Sequence, residues 1–318
     1  MNPLEVRELR SEFRIEGVWR EAVAGVSFTL AARETLALVG ESGCGKSVTA
    51  MSVMGLIRPP IGRVASGQVL LEGQDIAGLP EAALEKLRGA RMAMIFQEPM
   101  TALNPVMTVG DQVAESLIIH RGLSHRAAME RARALFDEVK IPSAASRLGD
   151  YPHQFSGGMR QRVMIAIALA CEPAILLADE PTTALDVTIQ AQVLGLLADA
   201  QKARGMAMLF ITHNLGVVAQ IADRVAVMYA GQIVEEGRVA EIFAAPAHPY
   251  TRALFAAIPR LSAAAQALEA IPGRVPPLDA MPAGCRFADR CPLAGPGCEA
   301  PQALRVLSGA HAVRCHRA

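Results

Sequence analysis

The stretch Gly40-Glu41-Ser42-Gly43-Cys44-Gly45-Lys46-Ser47 constrains the fold of this 318-residue chain more than any other. It has the form G-x-x-x-x-G-K-[ST], with Gly40, Gly45, Lys46 and Ser47 at the fixed positions. The preceding Thr35-Leu-Ala-Leu-Val39 reads as a short, fully buried strand, and Lys46 to about Leu56 reads as a helix. A strand, a glycine loop and a helix in that order make a cradle for a polyphosphate. Small residues let the backbone wrap closely round the phosphates, with its N–H groups pointing inward. The helix N-terminus adds a field that favours anionic oxygens. Lys46 brings a positive charge to the terminal phosphates, and the Ser47 hydroxyl can ligate Mg²⁺. Gly40, Glu41, Ser42, Gly43, Cys44, Gly45, Lys46, Ser47 and the following Val48 are the candidate nucleotide-binding set.

The rest of the chain predicts an α/β fold round this loop. Leu4 to Phe13 and Val26 to Leu30 read as strands in an N-terminal antiparallel β subdomain, with turns at Gly17 and Gly25. Strands are also expected at Gln68–Glu72, Met92–Phe96, Ala174–Ala178, Ala207–Thr212 and Arg224–Tyr229. Between about 100 and 160 the texture is helical. Thr108 with Asp111 forms a capping pair, and Ser124 caps a second helix whose Ala128, Ala132, Leu135, Phe136 and Val139 share one face before Pro142. Val187–Arg204 reads as a long helix. Strands separated by helices imply a mainly parallel sheet covered on both faces. From about Ala245 prolines and glycines thicken, which predicts a loop-rich extension poor in conventional core. The expected domains are therefore 1–245, with its helical part at about 100–160, and 246–318.

Two further motifs carry chemistry. Ala174-Ile-Leu-Leu-Ala-Asp179-Glu180 is a hydrophobic strand ending in two carboxylates. Asp179 is placed to hold Mg²⁺ directly or through water, and Glu180 to orient or deprotonate an attacking water. Phe155-Ser-Gly-Gly-Met-Arg-Gln-Arg162 precedes a helix expected over Met159–Cys171. Ser156, Gly157 and Gly158 thus form a second phosphate-binding helix N-terminus. One nucleotide cannot easily use both loops of one chain.

Gly40–Ser47, Gln97, Phe155–Arg162, Asp179–Glu180, Ala184-Leu-Asp186 and His213 together resemble the nucleotide-binding subunit of ATP-binding-cassette (ABC) transporters, over roughly residues 4–245. The resemblance implies an ATPase working as a head-to-tail dimer. ATP and Mg²⁺ lie between the phosphate loop of one cassette and Ser156–Gly158 of the other. Gln97 senses Mg²⁺ and the γ-phosphate and couples to a membrane subunit. Asp186 works across the dimer, and His213 holds the γ-phosphate and the water. An adenine-stacking aromatic is expected upstream, with Trp19 the first candidate and Phe13 the second.

Phe96-Gln-Glu-Pro-Met-Thr-Ala-Leu-Asn-Pro105 and Ala247-His-Pro-Tyr-Thr-Arg-Ala-Leu254 are similar to segments of the oligopeptide/dipeptide/nickel importer cassettes. In that family two different cassettes pair, and Gly-Gly-Met-Arg-Gln-Arg resembles the D-type partner rather than the F-type. The implied partners are an F-type cassette, two transmembrane permeases and an extracytoplasmic solute-binding protein. The implied place is the cytoplasmic face of the inner membrane, held peripherally. Cys285, Cys291, Cys298 and Cys315 lack the C-x-x-C spacing usual in structural zinc sites. Four thiolates suit a [4Fe–4S] cluster, and Pro292 after Cys291 echoes such sites. The resemblance also implies a cluster there, with zinc as the rival and His311 and His316 as reserve ligands.

Composition narrows the alternatives. Lys and Arg total 31 and Asp and Glu total 31, so no basic excess argues for nucleic acid. No apolar run reaches the length of a membrane-spanning helix, and the N-terminal stretch Met1–Glu8 lacks the apolar core of a signal peptide. The chain is expected in the cytoplasm, where its six cysteines are not structural disulfides. Mean hydropathy is high, at +0.27, through partner-covered surface or through many alanines. Three functions remain open: energising peptide import, the same machinery importing nickel or another small solute, and a soluble ABC ATPase of nucleic-acid or iron–sulfur metabolism. Neutral charge and the importer-like Ala247–Leu254 weigh against the last.

Overall fold

The computed structural model describes residues 2–183, 185–257 and 271–318. Its strands are β1 (Leu4–Ile15), β2 (Val18–Leu30), β3 (Thr35–Val39), β4 (Gly62–Leu71), β5 (Gln74–Asp75), β6 (Met92–Ile95), β7 (Ile175–Asp179), β8 (Ala207–Thr212), β9 (Arg224–Tyr229), β10 (Gln232–Arg238), β11 (Arg305–Ser308) and β12 (His311–Val313). Its helices are α1 (Lys46–Val53), α2 (Glu81–Leu87), α3 (Pro99–Ala102), α4 (Val109–Arg121), α5 (His125–Glu138), α6 (Ala144–Arg147), α7 (Gly157–Leu169), α8 (Val187–Arg204), α9 (Leu215–Ile221), α10 (Val239–Ala244) and α11 (Pro249–Ala256). Two compact units divide the chain.

One unit comprises Met1–Pro3, Leu30–Arg33 and Gly78–Phe210. Here β6 and β7 pair in parallel, from Met92 opposite Ile175 to Ile95 opposite Ala178. The helical part begins as the sequence predicts. Thr108 accepts a hydrogen bond from the Asp111 N–H, and its hydroxyl donates to the Asp111 carboxylate at 2.6 Å. Ser124 caps α5 by accepting from the Ala127 N–H. The expected apolar faces are buried: Val109, Val113 and Leu117 on α4, and Ala128, Ala132, Leu135 and Phe136 on α5. Burial of each large side chain stabilises by about 1.5–3 kcal/mol. After Pro142 the chain resumes with one short turn, α6.

The other unit comprises Leu4–Thr29, Glu34–Ala77 and Ile211–Ala318. An antiparallel sheet runs β2-β1-β4-β5. Leu4 and Val6 face inward with period two. An irregularity in the pairing between Arg7 and Ser11 resets the phase, so that Leu9 and Ser11 are buried next. Beside this sheet in sequence, β3 pairs in parallel with β9. From β9 onward pairing is antiparallel: β10 returns along β9, β12 along β10, and β11 along β12. A turn makes the antiparallel return from β9 to β10. Ala230 and Gly231 both take positive φ, +45° and +83°, the geometry that folds a two-residue hairpin.

Residues beyond 245 belong to this same unit, so the compact units do not divide at the expected boundary. Its core gathers Val39, Val227, Tyr229 and Val234 with Tyr250 and Phe287. The expectation of an extension poor in core is thus corrected. Prolines and glycines in 271–300 shape loops, but the aromatics among them are buried.

Candidate functional site

The phosphate loop is set by β3 and α1. All five residues of β3 are buried, and the chain leaves it at Gly40. A Cβ there would lie 2.2 Å from the Met228 carbonyl oxygen and 2.7 Å from the Cys44 sulfur, so only glycine fits. Gly45 enters α1 with φ +106°, which side chains rarely adopt. Lys46 is buried, and its ammonium donates to the carbonyls of Gly40 at 2.9 Å and Glu41 at 3.1 Å. The charge therefore sits inside the curl of the loop. Ser42 and Gly43 are exposed at its crest, and Ser47 and Val48 are half-buried in the first helical turn. Cys44 is buried, and burial pushes its thiol up, so it stays neutral. The Glu41 N–H donates to the Tyr250 hydroxyl at 2.8 Å, and the Glu41 carboxylate takes both terminal nitrogens of Arg290 at 2.7 and 2.9 Å.

In the other unit, parallel pairing of β6 with β7 sets the segments that follow them at one end of the sheet, the end where α/β proteins bind ligands. Gln97 follows β6, and Asp179 and Glu180 close β7. The Gln97 amide donates to the Glu180 carboxylate at 3.2 Å, and the Thr183 hydroxyl donates to the same oxygen at 2.9 Å. Asp179 is buried. Glu180 is half-buried with φ +45°, an unfavourable backbone for a residue with a Cβ. Strain of that kind costs about 1–3 kcal/mol and gathers at functional sites. Residues separated by 83 positions thus meet with their polar ends together.

The same unit holds the Ser-Gly-Gly loop. Ser156 caps α7 by accepting from the Met159 N–H, so the helix starts at Gly157, two residues before the expected Met159, and ends at Leu169. The glycines are included because they supply the first turn. Ser156 and Gly157 are exposed. They line a cleft of about 950 Å³ together with Gly158, Arg162 and Asp186. Asp186 caps α8, its carboxylate accepting from the Ile189 N–H at 2.9 Å. Ala184 lies outside the described residues. Residues 23–183 match the family described as ABC transporter.

The chain belongs to the ABC transporter family. Residues 234–298 also match a family described as the oligopeptide/dipeptide transporter C-terminal region. A relative from Brucella melitensis biotype 1 that carries the name of a peptide import ATP-binding protein is 50% identical, over 99% of this chain and 96% of the relative. One of the same name from Brucella abortus (strain 2308) is 51% identical, over 98% of this chain and 94% of its own length. Among solved structures, a dimeric ATP-binding cassette in a post-hydrolysis state bound to ADP and Pi is similar. Its TM-score is 0.67 at 26% identity, covering 74% of this chain and 98% of that one. A cassette from Clostridium perfringens, part of an ABC transporter complex, has a TM-score of 0.64 at 27% identity, over 76% of this chain and 91% of that one. The protein is an ATPase cassette.

Three other candidates of the ABC cassette stand as follows. Trp19 lies on β2 with the Arg63 guanidinium 4.4 Å above its ring, so one face is already taken by a cation–π contact. Phe13, half-buried on β1, is paired with Gly62. His213 is exposed just past β8, beside Asn214, whose side chain caps α9. No helix among the described residues is long and apolar enough to cross a membrane.

The four late cysteines of the ABC cassette converge. Cys285, Cys291, Cys298 and Cys315 line one small, largely apolar cavity with Phe287 and Leu293, and all are free thiols. Burial raises the Cys285 and Cys291 thiols, and neighbouring sulfurs of the group add to the effect. Among the described residues no group of three or more His, Cys, Asp or Glu is placed to hold a metal ion. His316 lines the cavity. His311 does not, because its Nε2 pairs with the buried Glu235 carboxylate at 2.7 Å.

Sequence reasoning missed Tyr250 and Arg290 as neighbours of the phosphate loop. His248 caps α11, its Nδ1 accepting from the Tyr250 N–H at 3.1 Å. Contact with Glu41, 209 residues away for Tyr250 and 249 for Arg290, leaves no local signal.

Proposed function

We propose that this ABC cassette hydrolyses ATP to energise import of di- or oligopeptides. It pairs head-to-tail with a second cassette, of the F-type, on two membrane permeases fed by an extracytoplasmic binding protein. It sits peripherally on the cytoplasmic face of the inner membrane. The observation that carries the ATPase assignment of residues is the Gln97–Glu180 pair at the end of β6 and β7. A carboxylate held by a glutamine amide and the Thr183 hydroxyl is fixed in direction, as a group that orients a water must be. Peptide cargo is supported by the match of residues 234–298 and by the relatives' names.

Roles follow the chemistry of each side chain. The loop Gly40–Ser47 with Val48 cradles phosphates, and Lys46 neutralises their charge. Ser47 and Asp179 hold Mg²⁺, which when bound neutralises charge on the β- and γ-phosphates. Glu180 orients the water, and Gln97 senses Mg²⁺ and γ-phosphate. His213 holds the γ-phosphate. Trp19 stacks on adenine through its ring face opposite Arg63. Ser156, Gly157 and Gly158 bind the partner's nucleotide from the helix N-terminus of α7, and Asp186 acts across the dimer. Glu180→Gln is expected to abolish turnover while retaining an ATP-bound dimer on size exclusion; wild-type turnover in that variant would contradict the role.

For the four cysteines the proposed occupant is a [4Fe–4S] cluster. What supports it is that the four thiols line one cavity, where a bound cation would offset the burial that raises the Cys285 and Cys291 thiols. A closed zinc site needs all four sulfurs about 2.3 Å from one centre, whereas a cluster of several metal atoms suits thiols that do not meet at a point. Anaerobically purified protein is expected to be brown, with near-stoichiometric iron and sulfide. Stoichiometric zinc without iron would sink the cluster.

A further inference from the structure

The turn between Cys285 and Cys291 reaches the nucleotide loop through Arg290. Its backbone is tied by hydrogen bonds from Ala288 N–H to Cys285 C=O, Arg290 N–H to Phe287 C=O and Cys291 N–H to Ala288 C=O, at 3.0, 3.0 and 3.1 Å. The Cys285 N–H donates to the Cys298 carbonyl at 2.8 Å, so the turn is fastened to a third member of the thiol group. From this base Arg286 donates to the Ala230 carbonyl and to the Glu21 carboxylate, at 2.6 and 2.9 Å. Arg290, immediately before Cys291, makes the stronger link. Its guanidinium grips Glu41 of the phosphate loop with two nitrogens and donates to the Pro272 carbonyl through Nε at 2.6 Å.

Three features make this more than a surface ion pair. The Arg290 side chain is 5% exposed, against 29% for Glu41, so the contact is shielded on the arginine side. It is bidentate, which fixes direction as well as distance. The same loop residue is held a second time, by Tyr250 at its backbone N–H. Tyr250, Tyr229 and Phe287 pack together, with ring centroids 4.7 to 5.3 Å apart, and Arg290 lies over Tyr229 and Phe287. Phe287 also lines the thiol cavity. A continuous, closely packed path thus runs from the cysteines to the residue that opens the phosphate loop. Glu41 is adjacent to Gly40, and its own carbonyl receives the Lys46 ammonium.

We propose that the Cys285–Cys291 turn clamps the phosphate loop, with Arg290 as a positioning residue that holds Glu41, so that the integrity of the thiol site sets how tightly the cassette binds Mg-ATP. The proposal rests on Gly40–Ser47 being the ATP-binding loop. When the turn is held, Arg290 fixes the loop in its open curl and nucleotide binding needs no reorganisation. When the turn is loosened, the loop must be ordered by the nucleotide itself, and affinity falls.

Equilibrium Mg-ATP binding to the full chain in a Glu180→Gln background tests this. Lys46→Ala is the control on the loop, and if it leaves binding unchanged the assignment of the loop itself fails. With that control satisfied, Arg290→Ala is expected to raise Kd about tenfold, and Arg290→Lys to recover part of the loss. Glu41→Gln should weaken binding similarly and add nothing to Arg290→Ala. Cys298→Ser should weaken binding in the wild-type loop and have no further effect in Arg290→Ala. A residue that merely stabilised the fold would lower the melting temperature in step with affinity, whereas a clamp changes Kd at temperatures where every variant is fully folded by circular dichroism. An unchanged Kd in Arg290→Ala, or additive effects of Arg290→Ala and Cys298→Ser, overturns the clamp.

Discussion

At the scale of single residues, buried polar groups show how the chain fixes its own geometry. Glu235 is buried yet fully answered, accepting from the Ala247 and His248 N–H groups at 2.6 and 2.9 Å and from His311. His248 is the converse case, a titratable group kept neutral. Burial lowers it to about 4, with Arg252 and Arg314 contributing in the same direction. Its Nδ1 must stay unprotonated to accept from the Tyr250 N–H. The sign follows from linkage. With the folded value below the unfolded 6.5, the unfolded chain binds the proton first, so this contribution is complete above about pH 6.5 and is lost as pH falls toward 4. Between pH 7 and pH 5 the loss is roughly 2 kcal/mol. His248→Asn keeps a capping acceptor without the titration. Urea unfolding at the two pH values should therefore show the wild type losing about that much more than the variant. Equal losses in both would show that His248 does not titrate as described.

At the scale of elements, what was legible in the sequence was what is encoded locally. β3, β8, β9 and α8 fall on their expected residues, because each is an unbroken apolar or capped run with turn residues at both ends. The helix caps at Thr108 and Ser124 also form as expected, since a cap needs only a polar side chain three residues from an N–H. Misplaced boundaries have equally local causes. β2 runs back to Val18 instead of starting at Val26, with Gly25 inside the strand rather than at a turn, because Val18–Glu21 are not buried and Ala22–Gly25 are all buried, so neither stretch alternates. β10 was missed because its register slips between Ile233 and Glu235, which blurs a period of two. Of the site, Gln97 and Glu180 were legible as motif positions, and their meeting follows from parallel pairing of β6 and β7. Arg290 was not legible. An arginine in a glycine- and proline-rich loop has no periodicity to give it away, and its partner Glu41 occupies a variable position of its motif.

At the scale of the molecule, the sequence suggests a cassette with an appendage, whereas the second compact unit is assembled from three separated segments of the chain. The residues after 245 complete its core rather than decorate it. Removing them takes Tyr250 and Phe287, both at most 1% exposed, from their packing on Tyr229. Loss of one such aromatic costs about 3–5 kcal/mol. Removal also strips β10 of its partner β12, leaving an unpaired edge that invites association. Glu235 would also lose its hydrogen-bond donors Ala247, His248 and His311. Against a total stability of about 5–15 kcal/mol, these losses together are too large to absorb. A chain ending at residue 245 is therefore expected to lack a cooperative thermal transition and to be cleaved rapidly by protease under conditions where the full chain resists. If the shortened chain melts cooperatively within a few degrees of the full one, the late segment is an independent appendage and the two-aromatic core is dispensable. The same measurement bears on the cysteines. A segment that completes a core is ordered by packing, so the fold itself brings the four thiols to one cavity.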